Sequence, residues 1–337
     1  MRRGSLVQLV ALGVVLGAAA TVVALFVPWL PENASEERDG IDLVFWFTTA
    51  IAIGIFALVG AVIVYSVLKF RVRPDDDSDG PPIHGHTGIE IVWTAVPALL
   101  VTAISVISGV VLVQNDRADP GRLNVDVTAR QFAWSFAYPG QGDLTSGQLR
   151  LPLGRSVELH LTALDVIHSF WVPQFGQKQD AVPGQDTKLV VTPTKLGTYP
   201  VICTELCGLG HALMRTTAIV MKPAAFQRWV RGQQQAANGP PAQAGKAVFA
   251  SNGCGSCHTL QAAGATGTVG PDLDKLPTYA EQAGQPLDDF VRESIVDPNA
   301  YVEQGFPSNV MPPFANLPED QLDALVEFLV EASKGGS

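Results

Sequence analysis

Charge is scarce in this chain of 337 residues: Asp, Glu, Lys and Arg together make 16%, against roughly 25% in an average soluble protein, while 47% is hydrophobic. That balance excludes a disordered chain and is unusual for a wholly soluble one. Basic residues are the minority, 22 against 32 acidic, for a net charge of −10. Nucleic acid is set aside as a partner, because phosphate binding needs clustered Lys and Arg. Cysteine is sparse as well. Four in such a length cannot staple a fold, so their spacing matters more than their number. They form two close pairs, Cys203 with Cys207 and Cys254 with Cys257. The length itself accommodates two or three domains.

What is abundant is uninterrupted apolar sequence. Residues 6–27, 43–68 and 91–113 carry no charge, and each is long enough as a helix to cross a hydrocarbon core of about 30 Å. Arg2 and Arg3 precede the first run, and Lys69, Arg71 and Arg73 follow the second. Counting basic residues puts these flanks inside and everything after Gln114 on the outer, oxidising face. Asp75, Asp76, Asp77 and Asp79 do not alter that orientation, because carboxylates contribute little to it. The basic start and the polar stretch 31–40 leave residues 1–30 open to two readings, a removed signal peptide or a first crossing. Residues 41–114 form a transmembrane hairpin under either.

From residue 120 the pattern shortens. Alternating stretches at 124–136, 148–161, 188–191, 198–202 and 216–221, punctuated by Gly and Pro, predict an all-β sandwich or barrel over 120–222. Residues 223–242 contain Gln233, Gln234, Gln235, Asn238, Pro240 and Pro241 and read as an aperiodic linker, with 233–243 reaching about 36 Å if extended at roughly 3.3 Å per residue. Residues 243–337 predict a small helical domain, with helices at 245–250 and 318–332.

Cys254-Gly-Ser-Cys257-His258 has the spacing of a c-type haem attachment site. Two thiols so placed form thioethers to the haem vinyl groups, and the adjacent imidazole ligates iron. Zinc would need more thiolates nearby, and a thioredoxin-like redox pair would need a βαβ setting. Met311 is the sole methionine downstream and the candidate sixth ligand, which would raise the potential as suits an electron carrier. With Gly270-Pro271-Asp272-Leu273 beside it, residues 243–333 resemble class I cytochromes c. In that family the loop proline packs by the proximal histidine, here His258.

The second cluster is denser. Cys203, Cys207, His211 and Met214 fall within twelve residues, a thiolate, imidazole and thioether set that selects copper over hard cations. His168, about 35 residues upstream at a strand end, supplies a second imidazole if a β-sandwich closes over the loop. A disulfide between Cys203 and Cys207 stays open on spacing alone.

These residues together resemble the cytochrome c oxidase subunit II family, in its form with a fused cytochrome c. The resemblance implies three kinds of domain: transmembrane helices, an all-β cupredoxin-like domain and a small all-α cytochrome c domain. It implies that Cys203 and Cys207 bridge a binuclear CuA centre, with His168, His211, Met214 and the Glu205 carbonyl as its other ligands. The Glu205 side chain falls where the family has a carboxylate tied to a shared magnesium site. Phe132 and Trp134, in Gln131-Phe132-Ala133-Trp134, match the family's aromatic segment, but Phe132 stands where members served by a soluble cytochrome c carry a Trp through which electrons arrive. Glu90 falls where the family has a glutamate at the mouth of a proton pathway.

The implied partners are the catalytic subunit I, subunit III, an upstream respiratory donor and membrane lipid, in a bacterial cell membrane. Oxygen reduction and proton translocation would lie in another subunit, so no catalytic residue is expected here. A tethered copper chaperone also uses Cys-x-x-x-Cys with a distant His, but needs a βαβ pattern. Finally, residues 243–337 carry −9 and residues 120–222 carry +2, a split that anticipates docking by charge.

Overall fold

The computed structural model describes residues 3–71, 82, 84–117, 119–142, 144–237, 239–315 and 317–334. Arg2, Arg73, Asp75, Asp76, Asp77, Asp79 and Asn238 therefore lie outside the described residues. Two compact units form, Met1–Glu32 with Asp39–Gln114, and Asn33–Arg38 with Asn115–Ser337.

In the first unit the three apolar runs fold as α1 (Arg3–Phe26), α2 (Glu37–Lys69) and α3 (Thr87–Asn115). All three are long and apolar enough to cross a membrane. Both α2 and α3 begin several residues before their apolar runs, because a helix satisfies its own backbone and gains nothing by stopping at the hydrocarbon edge. Small residues let α1 and α2 approach closely: a Cβ added at Gly17 would lie 3.4 Å from that of Ala57, and one at Gly13 would lie 3.7 Å from that of Ala61.

The second unit opens with a two-sheet sandwich. Its strands are β1 (Leu123–Arg130), β2 (Ala133–Tyr138), β3 (Leu144–Ser146), β4 (Leu149–Pro152), β5 (Val157–Ala163), β6 (His168–Trp171), β7 (Lys178–Ala181), β8 (Thr187–Val191), β9 (Gly197–Cys203) and β10 (Arg215–Met221). One sheet runs β3-β2-β1-β5-β8 and the other β4-β10-β9-β6-β7. Period-two alternation fills the space between them: Leu123, Val125, Val127 and Ala129 of β1 and Trp134, Phe136 and Tyr138 of β2 are all buried. Each large side chain so buried contributes about 1.5–3 kcal/mol. The stretch 124–136, expected as one strand, breaks at Gln131–Phe132, where the chain turns back to pair Ala129 with Trp134.

The expected linker is corrected. Residues Pro223–Ala237 form α4, and α5 follows at Pro241–Ser251. Phe226 and Val230 are buried in the sandwich core, and the Trp229 ring packs 5.1 Å from that of Tyr138. A spacing of three and four places these apolar residues on one face, so the helix buries them and 233–237 rises about 1.5 Å per residue instead of extending.

Past α5 come the short hairpin β11 (Thr259–Leu260) and β12 (Ala265–Thr266), then α6 (Leu276–Ala283), α7 (Leu287–Val296) and α8 (Glu319–Lys334). Gly245 is the crossing point of α5 and α8. A Cβ there would overlap the Ala324 carbonyl oxygen at 1.9 Å, so only glycine permits this approach. Phe249 and Phe328 meet edge to face at 6.1 Å beneath it.

Candidate metal centre and haem crevice

Strand pairing brings the first cluster together. His168 begins β6 and Cys203 ends β9, and the pairing of Phe170 with Cys203 sets the two strands side by side. The connection from β9 to β10 carries Cys207, His211 and Met214, and β10 returns antiparallel to β9, closing the loop over His168. The donor atoms converge. Cys203 Sγ lies 3.9 Å from Cys207 Sγ, 3.9 Å from His168 Nδ1 and 3.3 Å from the Glu205 carbonyl oxygen. Cys207 Sγ lies 3.6 Å from His211 Nδ1 and 3.8 Å from Met214 Sδ, and Met214 Sδ lies 3.1 Å from His168 Nδ1.

These separations fit a metal set. Donors at about 2.0–2.3 Å from one tetrahedral ion stand roughly 3.3–3.8 Å from each other. The two sulfurs are nearly twice the bonding distance of a disulfide, about 2.05 Å, and both thiols are free. His168, Cys203 and Cys207 are buried as a compact group within 4.8 Å. A two-sheet sandwich surrounds them, antiparallel except for the β1–β5 and β4–β10 pairs, and not the βαβ unit a chaperone would need.

Electrostatics set the two thiols apart. Burial alone would raise Cys203, but hydrogen bonds to His168, the Ser169 and Glu205 backbone and His211 outweigh it and bring the thiol down to about 6. Burial and the charge on Cys203 push Cys207 up to about 12. His168 is held above its ordinary value: burial would lower it, and bonds to Cys203 and Asp165 prevail. Asp165 Oδ1 lies 2.8 Å from His168 Nε2, so this ring nitrogen is the donor and Nδ1 is left facing the sulfurs. The same carboxylate accepts from Gln131 N at 2.6 Å and Val166 N at 2.7 Å. These bonds hold it below the usual carboxylate range although burial acts the other way.

The aromatic segment borders this cluster. Trp134 is buried with its ring 6.2 Å from that of His168. Phe132 lies against the loop between Cys207 and His211, where a Cβ added at Gly210 would come 2.5 Å from Phe132 Cδ2. Gln131 Nε2 donates to the Cys207 carbonyl at 2.5 Å.

The second pair lies in a different setting. Cys254 and Cys257 flank a short 3₁₀ turn after α5, and burial pushes the Cys254 thiol up to about 12 and raises Cys257. His258 Nδ1 donates to the Pro271 carbonyl at 2.8 Å, which leaves Nε2 free for a ligand. Burial lowers its pKa and so favours the neutral imidazole that ligation needs. Gly270 makes room: a Cβ there would lie 2.4 Å from His258 Cε1. The ring faces an apolar crevice lined by Phe249, Leu273, Leu276, Phe290 and Ile295, and Met311 lines the same crevice. A histidine with one free nitrogen, two adjacent thiols and an apolar slot is the cradle a covalently held haem requires.

Glu90 lies in the first turn of α3, where its Oε1 accepts from the His86 backbone at 3.0 Å. The Glu205 side chain is exposed beside the first cluster. Sequence reasoning missed Asp165, Gln131 and Arg130, which no local spacing marks as functional.

A membrane-anchored cupredoxin-like protein joined to a c-type cytochrome is the class these features define. Three family models match: the transmembrane domain of cytochrome c oxidase subunit II over residues 20–111, its periplasmic domain over 144–222, and cytochrome c over 242–333. The cytochrome c oxidase subunit 2 of Thermostichus vulcanus is 35% identical over 282 residues, covering 66% of this chain and 86% of the relative. That of Synechocystis is 34% identical over 276 residues, covering 67% and 81%, and that of Alkalihalophilus pseudofirmus is 32% identical over 300 residues, covering 83% and 84%. The chain belongs to the cytochrome c oxidase subunit 2 family, in a form that carries its own cytochrome c domain. It is thus a membrane-anchored subunit of a haem-copper oxidase, a family membership that implies copper and haem c as cofactors.

Proposed function

We propose that this chain is the electron-input subunit of its oxidase: an electron received at haem c passes to a binuclear CuA centre and on to the catalytic subunit that reduces oxygen. Copper and haem supply the redox chemistry, and the chain supplies their placement. Cys203 and Cys207 would bridge the coppers, with His168, His211, Met214 and the Glu205 carbonyl completing the shell. Cys254 and Cys257 would hold the haem, with His258 and Met311 axial. The observation that carries this reading is the convergence of five side chains and one carbonyl, with neighbouring donor atoms 3.1–3.9 Å apart, in a loop closed by strand pairing.

A shell of six protein donors leaves no position for substrate, which favours electron transfer over catalysis. Asp165 keeps the His168 ring in the ligating tautomer, and Pro271 does the same for His258. The finer assignments complete the proposal. Subunits I and III are the neighbours, an upstream respiratory carrier is the donor, and the helices cross a bacterial membrane with both redox domains outside. Glu205 contributes a shared magnesium ligand and Glu90 marks a proton-uptake mouth. Trp134 against His168 and Phe132 against the Cys207–His211 loop are the aromatic neighbours of the electron path.

Electron paramagnetic resonance with metal analysis of the purified complex tests the centre. A mixed-valence signal from two coppers per chain is expected, and it is lost in Cys207→Ser. A mononuclear copper signal, or none, refutes the assignment.

A further inference from the structure

The seam between the copper-binding sandwich and the cytochrome domain is built from three contacts. Gly147 N donates to the Ala250 carbonyl at 3.1 Å, and its Cα is so close to the turn before Cys254 that an added Cβ would come 2.5 Å from Gly253 Cα. Phe132, Ala133 and Leu213 form one wall of the crevice that holds His258 and Met311. Arg130, the last residue of β1, places its guanidinium carbon 4.1 Å from the centroid of Phe314. Phe314 follows Met311 by three residues, and Arg130, Asp165, Met311 and Phe314 line one cleft. Lys275 pairs with Asp272, and Arg292 with Glu319 and Asp323, within the cytochrome domain and away from this seam.

What makes Arg130 more than a packing residue is its neighbour. Gln131 bonds the Cys207 carbonyl through its side chain and the Asp165 carboxylate through its backbone, and Asp165 bonds His168. One short turn thus touches the copper ligands on one side and the methionine-bearing loop of the cytochrome on the other. A cation over an aromatic face in a partly desolvated seam is a directional contact that depends little on bulk salt.

We propose that Arg130 is a positioning residue for haem-to-copper electron transfer: its guanidinium seats the Met311 loop on the copper domain, making this face a dock for the chain's own cytochrome. The inference rests on the haem and CuA assignments above. It departs from the charge split of −9 and +2, since the seam is made by backbone, apolar and cation–π contacts.

The experiment uses the purified oxidase containing the full chain. Wild type must first show the haem c and binuclear copper spectra, and their absence would overturn the underlying site assignments before any variant is made. An electron is then injected photochemically into haem c and its transfer to copper followed, in wild type, Arg130→Met, Arg130→Lys and Phe314→Leu. Arg130→Met is expected to slow transfer about five- to thirty-fold and to raise amide exchange across 309–317, with both spectra intact. Arg130→Lys, which keeps a cation over the ring, recovers most of the rate. The double variant Arg130→Met/Phe314→Leu is no slower than the slower single one. The wild-type rate changes less than about two-fold between low and high salt. Transfer at the wild-type rate in Arg130→Met, or a double variant slowed by the product of the singles, overturns the proposal, as does a steep fall in rate with salt.

Discussion

Substituting Gly210 by Ala isolates the contact between Phe132 and the copper loop. Gly210 has φ −90°, a conformation alanine adopts freely, so the change acts through volume alone. The new methyl would lie 2.5, 2.7 and 2.9 Å from Phe132 Cδ2, Cγ and Cε2, against about 3.5–4.0 Å for ordinary carbon contacts. Relief takes about 1 Å of movement. The ring lies along Gly208 of the same loop as well, where an added Cβ would come 3.2 Å from Cε1 and Cζ. Overpacking of this kind costs about 1–3 kcal/mol. The assay is denaturant-induced loss of the copper signal in Gly210→Ala, Phe132→Ala and the double variant. Gly210→Ala should be destabilised by that amount, and the double variant should be no less stable than Phe132→Ala alone, because the partner of the clash is gone. If the two changes simply add, the methyl and the ring never competed, and the placement of Phe132 against the ligand loop is wrong.

Three further outcomes are expected. Asp165→Asn removes the charged acceptor of His168 Nε2, so copper affinity should fall about 10–100-fold, read by competition with a chelator; unchanged affinity would deny the carboxylate its orienting role. Gly270→Ala places a methyl 2.4 Å from His258 Cε1 and forces the ring off the Pro271 carbonyl, so the haem c optical spectrum should lose its histidine-ligated form; an unaltered spectrum refutes the cradle. Copper loading needs both thiolates, and Cys203 loses its proton at about 6 while Cys207 holds its own up to about 12. Two thiol protons are therefore released on loading below about pH 6 and one between about 6 and 12, so affinity falls more steeply on the acid side. A pH-stat counts them, after allowing for the His168 proton, and a constant count across pH 6 contradicts the asymmetry.

The two clusters of candidate ligands stand out in the sequence because their spacing is local. Cys254-Gly-Ser-Cys257-His258 and the run from Cys203 to Met214 keep their donors within a few residues, and tertiary structure only has to close them. His168 was harder, since strand pairing alone brings it to the loop. Asp165 stands only three positions from His168, but a carboxylate at that spacing is common on any surface loop, and Gln131 and Arg130 act across 34 to 184 positions, which nothing in their immediate sequence announces. The error at 223–242 has a different cause. The glutamine run dominates the composition there and masks the helical period of Phe226, Trp229 and Val230. Likewise α6 and α7 are too short for their apolar spacing to stand out from loop sequence.

Helix α4 carries a mechanical consequence. With Phe226 and Val230 rooted in the sandwich, α4 ends at Ala237 and α5 begins at Pro241, four residues on, a separation that no chain conformation stretches beyond about 13 Å at roughly 3.3 Å per residue. While both helices hold, the cytochrome module cannot travel out to fetch its cargo. On the proposed electron path a donor would have to come to it, and the chain would work as a fixed wire, not as a ferry on a long rope.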